Sequence, residues 1–179
     1  MLSKFHNHQI SPETEILILG IFSTPNEQSG DFFFGRSRMF LWHMLPLCFN
    51  QPSLQEATLM EKLRFMKTYK IDFMDVVKEI DSTEPENSID DDTLDSKITA
   101  FSNLEEWMDK LPNLKAIYFT RKTFNGIPTI KQYLNTINDL CATRGVRFCK
   151  LDTPARHYSQ DKIRLWTDTI VKQKTCLRV

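Results

Sequence analysis

The residues best suited to chemistry lie between Glu15 and Trp42, in the stretch EILILGIFSTPNEQSGDFFFGRSRMFLW. A polar loop carrying Ser23, Thr24, Pro25, Asn26, Ser29 and Gly30 is followed by the aromatics Phe32, Phe33 and Phe34. Gly35-Arg36-Ser37-Arg38 comes next. Flat aromatic faces beside guanidinium groups suit the stacking of a planar base and the holding of phosphates. Three later segments carry further candidates: Asp75 near the end of an apolar run, Thr120-Arg121-Lys122, and Asp152-Thr153-Pro154-Ala155-Arg156-His157-Tyr158-Ser159. Arg36, Arg38, Arg121, Lys122 and Arg156 are expected to form a basic rim for phosphates.

Each of these segments follows an apolar run of strand length. Ile16–Leu19 is apolar without alternation and is closed by Gly20, which fits a strand buried on both faces. Ile71–Val77, Leu114–Thr120 and Val146–Leu151 read the same way. Helical patterns lie between them. A run from Met39 to Leu45 is ended or bent by Pro46. An amphipathic helix is expected from Ser53, with Leu54, Ala57, Met60, Leu63 and Met66 on its core face. Leu94, Ile98, Phe101, Leu104, Trp107, Met108 and Leu111 describe one face of a helix stopped at Pro112. Another carries Ile127, Ile130, Tyr133, Leu134, Ile137, Leu140 and Cys141. The last takes Ser159 as N-cap and buries Leu165, Trp166 and Ile170. The expected architecture is α/β, a three-layer sandwich with a four-stranded parallel sheet between helices. Ligands of such sheets bind outside the carboxyl ends of the strands. The loops after Gly20, Asp75, Thr120 and Leu151 are therefore expected to meet at one sheet edge.

A chain of 179 residues with 41% hydrophobic content is expected to form one domain over residues 1–179. No run reaches membrane-spanning length and MLSKFHNHQ lacks the apolar stretch of a signal peptide, so a cytoplasmic monomer without membrane contact is expected. Cys48, Cys141, Cys149 and Cys176 form no CxxC pair and read as free thiols. The pair His6 and His8 lacks a third ligand, and Asp90-Asp91-Asp92 lacks the glycine and glutamate of a calcium loop, so no metal is expected. Formal net charge is zero, yet Asp81–Asp95 holds seven acidic residues and no lysine or arginine. The remainder carries 23 basic against 16 acidic residues. That balance permits a basic face elsewhere.

The Gly20–Trp42 stretch resembles the first motif of the uracil-DNA glycosylase superfamily, in its mismatch-specific and deoxyinosine-type branches. Gly20, Phe34, Gly35, Arg38 and the Leu41-Trp42 ending carry the match. Asp75-Val76-Val77 is similar to an element of the deoxyinosine-type branch. Thr153-Pro154-Ala155 followed by Trp166 resembles the second motif. The sequence departs from the family at Phe22 and Met39, where a catalytic polar residue is usual, and at Thr120, where an asparagine usually reads the base.

The resemblance implies strand order 2-1-3-4, and hydrolysis of an N-glycosidic bond to a deaminated base, uracil or hypoxanthine, in DNA repair. The flipped base would lie against Phe22, Phe34, Met39 and Thr120. Arg36, Arg38, Arg121, Lys122, Thr153 and Arg156 would hold DNA phosphates. His157 or Arg156 would donate to the departing base, and Asn26, Ser29, Asp31 and Asp75 are the candidates for orienting water. No cofactor is required. Two other readings stay open: a nucleic-acid or nucleotide-binding module on the same fold without hydrolysis, and an α/β interaction domain whose aromatic patch is core.

Overall fold

The computed structural model describes residues 1–25, 30, 32–82 and 91–173, the side chains of 91 and 92 excepted. The four apolar runs form β1 (Ile16–Gly20), β2 (Ile71–Asp75), β5 (Ala116–Phe119) and β6 (Arg147–Lys150). They build one parallel sheet in the order β2-β1-β5-β6, which is the expected 2-1-3-4. Successive strand residues face opposite sides. Leu17, Leu19, Ile117 and Phe119 accordingly enter one apolar layer, and Ile18, Phe73, Tyr118 and Cys149 the other. The first layer is completed by α4 (Leu104–Lys110) and α5 (Pro128–Arg144), through Leu104, Met108, Ile130, Leu134 and Ile137. The second is completed by α1 (Leu41–Cys48), α2 (Leu59–Tyr69) and α6 (Gln160–Ile170), through Trp42, Met44, Phe65, Ile163 and Trp166. The three-layer sandwich follows directly from runs that are apolar on both faces.

Three expected elements differ. The run Ile71–Val77 is two strands: β2 stops at Asp75, and Val77 opens β3 (Val77–Ile80), which pairs antiparallel with β4 (Ile98–Phe101). The turn is fixed by Val76 N–H donating to Gly20 O (2.9 Å) and Val77 N–H to Ile21 O (2.9 Å). The long helix expected across Leu94–Leu111 is instead α3 (Asp91–Ser96), β4 and α4. Ile98 and Phe101 satisfy a helical spacing, but their backbone pairs with Ile80 and Val77, a non-local partner that periodicity does not show. Asn103 then caps α4, its side chain accepting from Glu106 N–H at 3.2 Å.

The helix expected from Ser53 starts at Leu59. Thr58 and Glu61 close a reciprocal capping box there, with Glu61 N–H to Thr58 Oγ1 at 3.3 Å and Thr58 N–H to Glu61 Oε2 at 2.8 Å. The shift exposes Met60 and Leu63 and buries Phe65 and Met66, so the expected core face of this helix is corrected to the Phe65–Met66 side. Cys48 and Cys141 are buried free thiols, but Cys149 is disulfide-bonded, against the expectation of free thiols throughout. Among the described residues no helix is long and apolar enough to cross a membrane.

Since the start of α2 rests on its cap, Thr58→Ala is expected to lower unfolding stability by about 1 kcal/mol in urea denaturation. A shift below a few tenths of that would mean the helix start is set by packing alone.

Candidate active site

The loops after β1, β2, β5 and β6 do meet at the carboxyl edge of the sheet. They enclose a cavity of about 290 Å³. Gly20, Phe22 and Ser23 come from the first loop, Phe34, Arg36 and Met39 from the segment before α1. Asp75 comes from β2, Thr120 and Arg121 from the end of β5, and Thr153 and Pro154 from the loop before α6. The volume sits at the lower end of the range for small-molecule sites.

Asp75 lies at the inner end. The β1–β2 register puts it opposite Gly20, and the missing side chain there is what makes room. A Cβ on Gly20 would stand 2.9 Å from Asp75 Oδ1 and 3.4 Å from Phe34 Cζ. The other carboxylate oxygen, Oδ2, accepts from Ser3 Oγ at 2.5 Å and from Ser23 N–H at 2.9 Å. Burial pushes the Asp75 carboxyl above the usual carboxylate range. The hydrogen bonds from Ser3 and Ser23 and the positive charge of Arg36 oppose that shift without cancelling it. Oδ2 is therefore held by the protein, while Oδ1 borders Gly20 and Phe34. Such a group can orient a water and accept its proton.

The three aromatics divide their work. Phe32 and Phe33 are buried, and Phe33 stacks on Phe73 at 5.8 Å; they are core, as most phenylalanines are. Trp42 Nε1 donates to Phe33 O at 2.8 Å and ties the patch to α1. Phe34 alone of the three lines the cavity, and it does so with φ 57°, a left-handed conformation that costs a bulky residue free energy.

The two motif segments are clasped together. Met39 and Ala155 form an antiparallel bridge, flanked by Phe40 N–H to Pro154 O (2.8 Å) and Arg156 N–H to Arg38 O (2.8 Å). Arg38 and Arg156 both take positive φ, 61° and 73°. Lys162 braces the same turn by donating Nζ to Thr153 O (3.0 Å) and His157 O (2.8 Å), and its partial burial depresses its pKa.

Of the expected site residues, Phe22, Phe34, Met39, Thr120, Arg36, Arg121, Thr153 and Asp75 are brought together. The Thr120 hydroxyl donates to Leu19 O at 2.9 Å, leaving its lone pairs for a ligand. His157, Arg38 and Arg156 are exposed and do not line the cavity. Lys122 pairs with Asp152 at 2.7 Å, and the Arg121 guanidinium folds onto Thr123 O and Asn125 O. Arg36 hydrogen-bonds Thr24 Oγ1. Asn26, Ser29 and Asp31 lie outside the described residues. Ser3 and Lys162 were not singled out in the sequence; no local signal links Ser3 to a carboxylate 72 positions away.

In the comparison with solved structures, 88% of the chain matches 89% of a solution NMR structure of a putative uracil DNA glycosylase from Methanosarcina acetivorans, at 22% identity with a TM-score of 0.59. The chain shares the fold of that structure. No protein-family model and no curated protein matches the chain.

Because the folded-state pKa of Asp75 is raised, folding favours its protonated form. Its contribution to stability is present below the ordinary carboxylate pKa and is lost as pH rises through the folded value. Asp75→Asn removes that loss. Thermal unfolding is expected to show the variant more stable than wild type at neutral pH, with the difference closing in acid. A variant less stable than wild type at every pH would contradict the desolvation account.

Proposed function

We propose that this protein is a DNA glycosylase-like hydrolase that removes a deaminated base, uracil or hypoxanthine, from DNA. The observation that carries the reading is the buried carboxylate of Asp75 facing, beside Phe34, a cavity at the carboxyl edge of a glycosylase-like fold. Base-removing enzymes take the nucleotide out of the stack into such a pocket. Phe34 offers the stacking face and the Thr120 hydroxyl a hydrogen-bond acceptor for a ring N–H. A water held at Asp75 Oδ1 attacks the anomeric carbon as the bond to the base breaks. Its proton passes to Asp75, and the bonding electron pair leaves with the base. The Arg36 guanidinium supplies positive charge beside that developing anion. His157, exposed and outside the cavity, has no part in this step.

Asp75 has taken over a task that the resembled motif gives to positions held here by Phe22 and Met39. Those two apolar linings favour one other reading, a module that holds a flipped nucleotide without hydrolysing it.

Duplexes and single strands carrying uracil or hypoxanthine, incubated with the protein, treated with alkali and sized, test both readings. Strand scission is expected with wild type. Asp75→Asn is expected to lose on the order of 10²–10⁴-fold in rate, His157→Ala to stay within a few-fold of wild type, and Met39→Asn to act faster. Since Asp75 must be ionised, the rate is expected to fall with decreasing pH, with its inflection above the ordinary carboxylate range. No excision by wild type or Met39→Asn on either base would leave the binding module.

Binding to DNA is expected to weaken with rising salt, and Arg38→Ala to flatten that dependence by about one phosphate contact in a fluorescence anisotropy titration. An affinity indifferent to salt would remove the basic rim.

A further inference from the structure

Outside the cavity, on the two segments joined by the Met39–Ala155 bridge, stands an aromatic step. Tyr158 is 46% exposed. Its ring lies 4.1 Å from that of His43 and 5.0 Å from that of Phe40, edge-on. His43 is held in turn by a hydrogen bond between Nδ1 and Ser53 Oγ at 3.0 Å. Phe40 directly follows Met39 and donates its N–H to Pro154 O (2.8 Å), and both Met39 and Pro154 line the cavity. Arg38 and Arg156, exposed and both in left-handed conformations, stand two positions before Phe40 and Tyr158 in the chain. Non-glycine residues held in that region gather where a ligand is handled. A half-exposed tyrosine backed by two rings, on segments that each carry an exposed arginine, has the makeup of a base-stacking platform for a charged strand.

We propose that Tyr158, backed by Phe40 and His43, stacks on an unpaired nucleobase neighbouring the nucleotide held in the cavity, so that a single strand is gripped by two bases instead of one. The ligand is single-stranded nucleic acid. Every base has a π face, so the step is indifferent to sequence, and a paired base within a duplex has no free face to offer it. The inference rests on the nucleic-acid reading of the cavity for its ligand class, but it does not need excision to occur.

Its test uses an undamaged fluorescein-labelled oligothymidylate of ten nucleotides, with the corresponding duplex as control, in anisotropy titrations at one fixed salt concentration. Tyr158→Ala is expected to bind the single strand about ten-fold more weakly, the size of one base–aromatic stack. Tyr158→Phe keeps the ring and is expected to match wild type, and the duplex affinity is expected to change less than two-fold in either variant. Circular dichroism of the variants checks that the exposed substitution leaves the fold intact. Equal single-strand affinity in wild type and Tyr158→Ala would overturn the step, as would equal weakening toward duplex, or no binding of the single strand by wild type. Because no damaged base is present, these outcomes are independent of whether excision is found: a protein that excises but ignores Tyr158 loses only the step, and one that binds through Tyr158 without excising loses only the hydrolase reading.

Discussion

The site depends on one arrangement: a carboxylate held out of water at the end of a parallel strand. Parallel pairing of β1 with β2 sets Asp75 against Gly20, and the Phe34 ring closes on the same point. Burying a carboxylate is costly unless its oxygens find donors. Here one oxygen is satisfied by Ser3 Oγ and Ser23 N–H, and the other is left beside Gly20 and Phe34. The N-terminal segment is thus part of the site, since Ser3 holds the carboxylate from outside the sheet. Its anchoring is itself structural, with Ser3 N–H on Lys78 O at 2.8 Å and His8 Nε2 against the buried Asp72 at 2.7 Å.

A second constraint closes the cavity from the opposite side. The segment before α1 and the turn before α6 are far apart in sequence, and the Met39–Ala155 bridge joins them. Three residues around the cavity and this clasp, Phe34, Arg38 and Arg156, accept a left-handed backbone without being glycine. Such strain persists only where surrounding contacts over-determine it. Trp42 holding Phe33 O and Lys162 holding Thr153 O and His157 O are the contacts that do so here. Beside the clasp are two surfaces of different character: a cavity faced by Phe34 and Asp75, and the exposed Tyr158 ring backed by the half-buried Phe40 and His43.

The sheet was legible in the sequence because a strand buried on both faces has no polar alternation. Ile16–Leu19 and Ile117–Phe119 are such runs, and Ile71–Met74 breaks the pattern only at the buried Asp72. The edge on which the loops meet followed from the parallel topology. What did not follow was anything decided by a distant partner. Leu94, Ile98, Phe101 and Leu104 fit a helical stripe, yet the middle two belong to a strand because β3 is there to pair with them. Phe32, Phe33 and Phe34 are identical as letters and all three rings meet Phe73; burial makes the first two core, while Phe34 lines the cavity. His157 shares the turn that carries Pro154, but its ring lies outside the cavity, which loop spacing does not reveal. Asp75 was readable as a residue at a strand end, and its desolvation was not, because that depends on Ser3 and Gly20.

The ionisation of Asp75 in the folded protein tests this account most directly. With carboxyl carbons labelled, its side-chain resonance is followed by NMR across pH, with and without free uracil or hypoxanthine. Asp75 is expected to titrate above the ordinary carboxylate range, because burial disfavours its charge, and added base to shift its resonance. An Asp75 resonance that titrates within the ordinary carboxylate range and ignores both bases would contradict it.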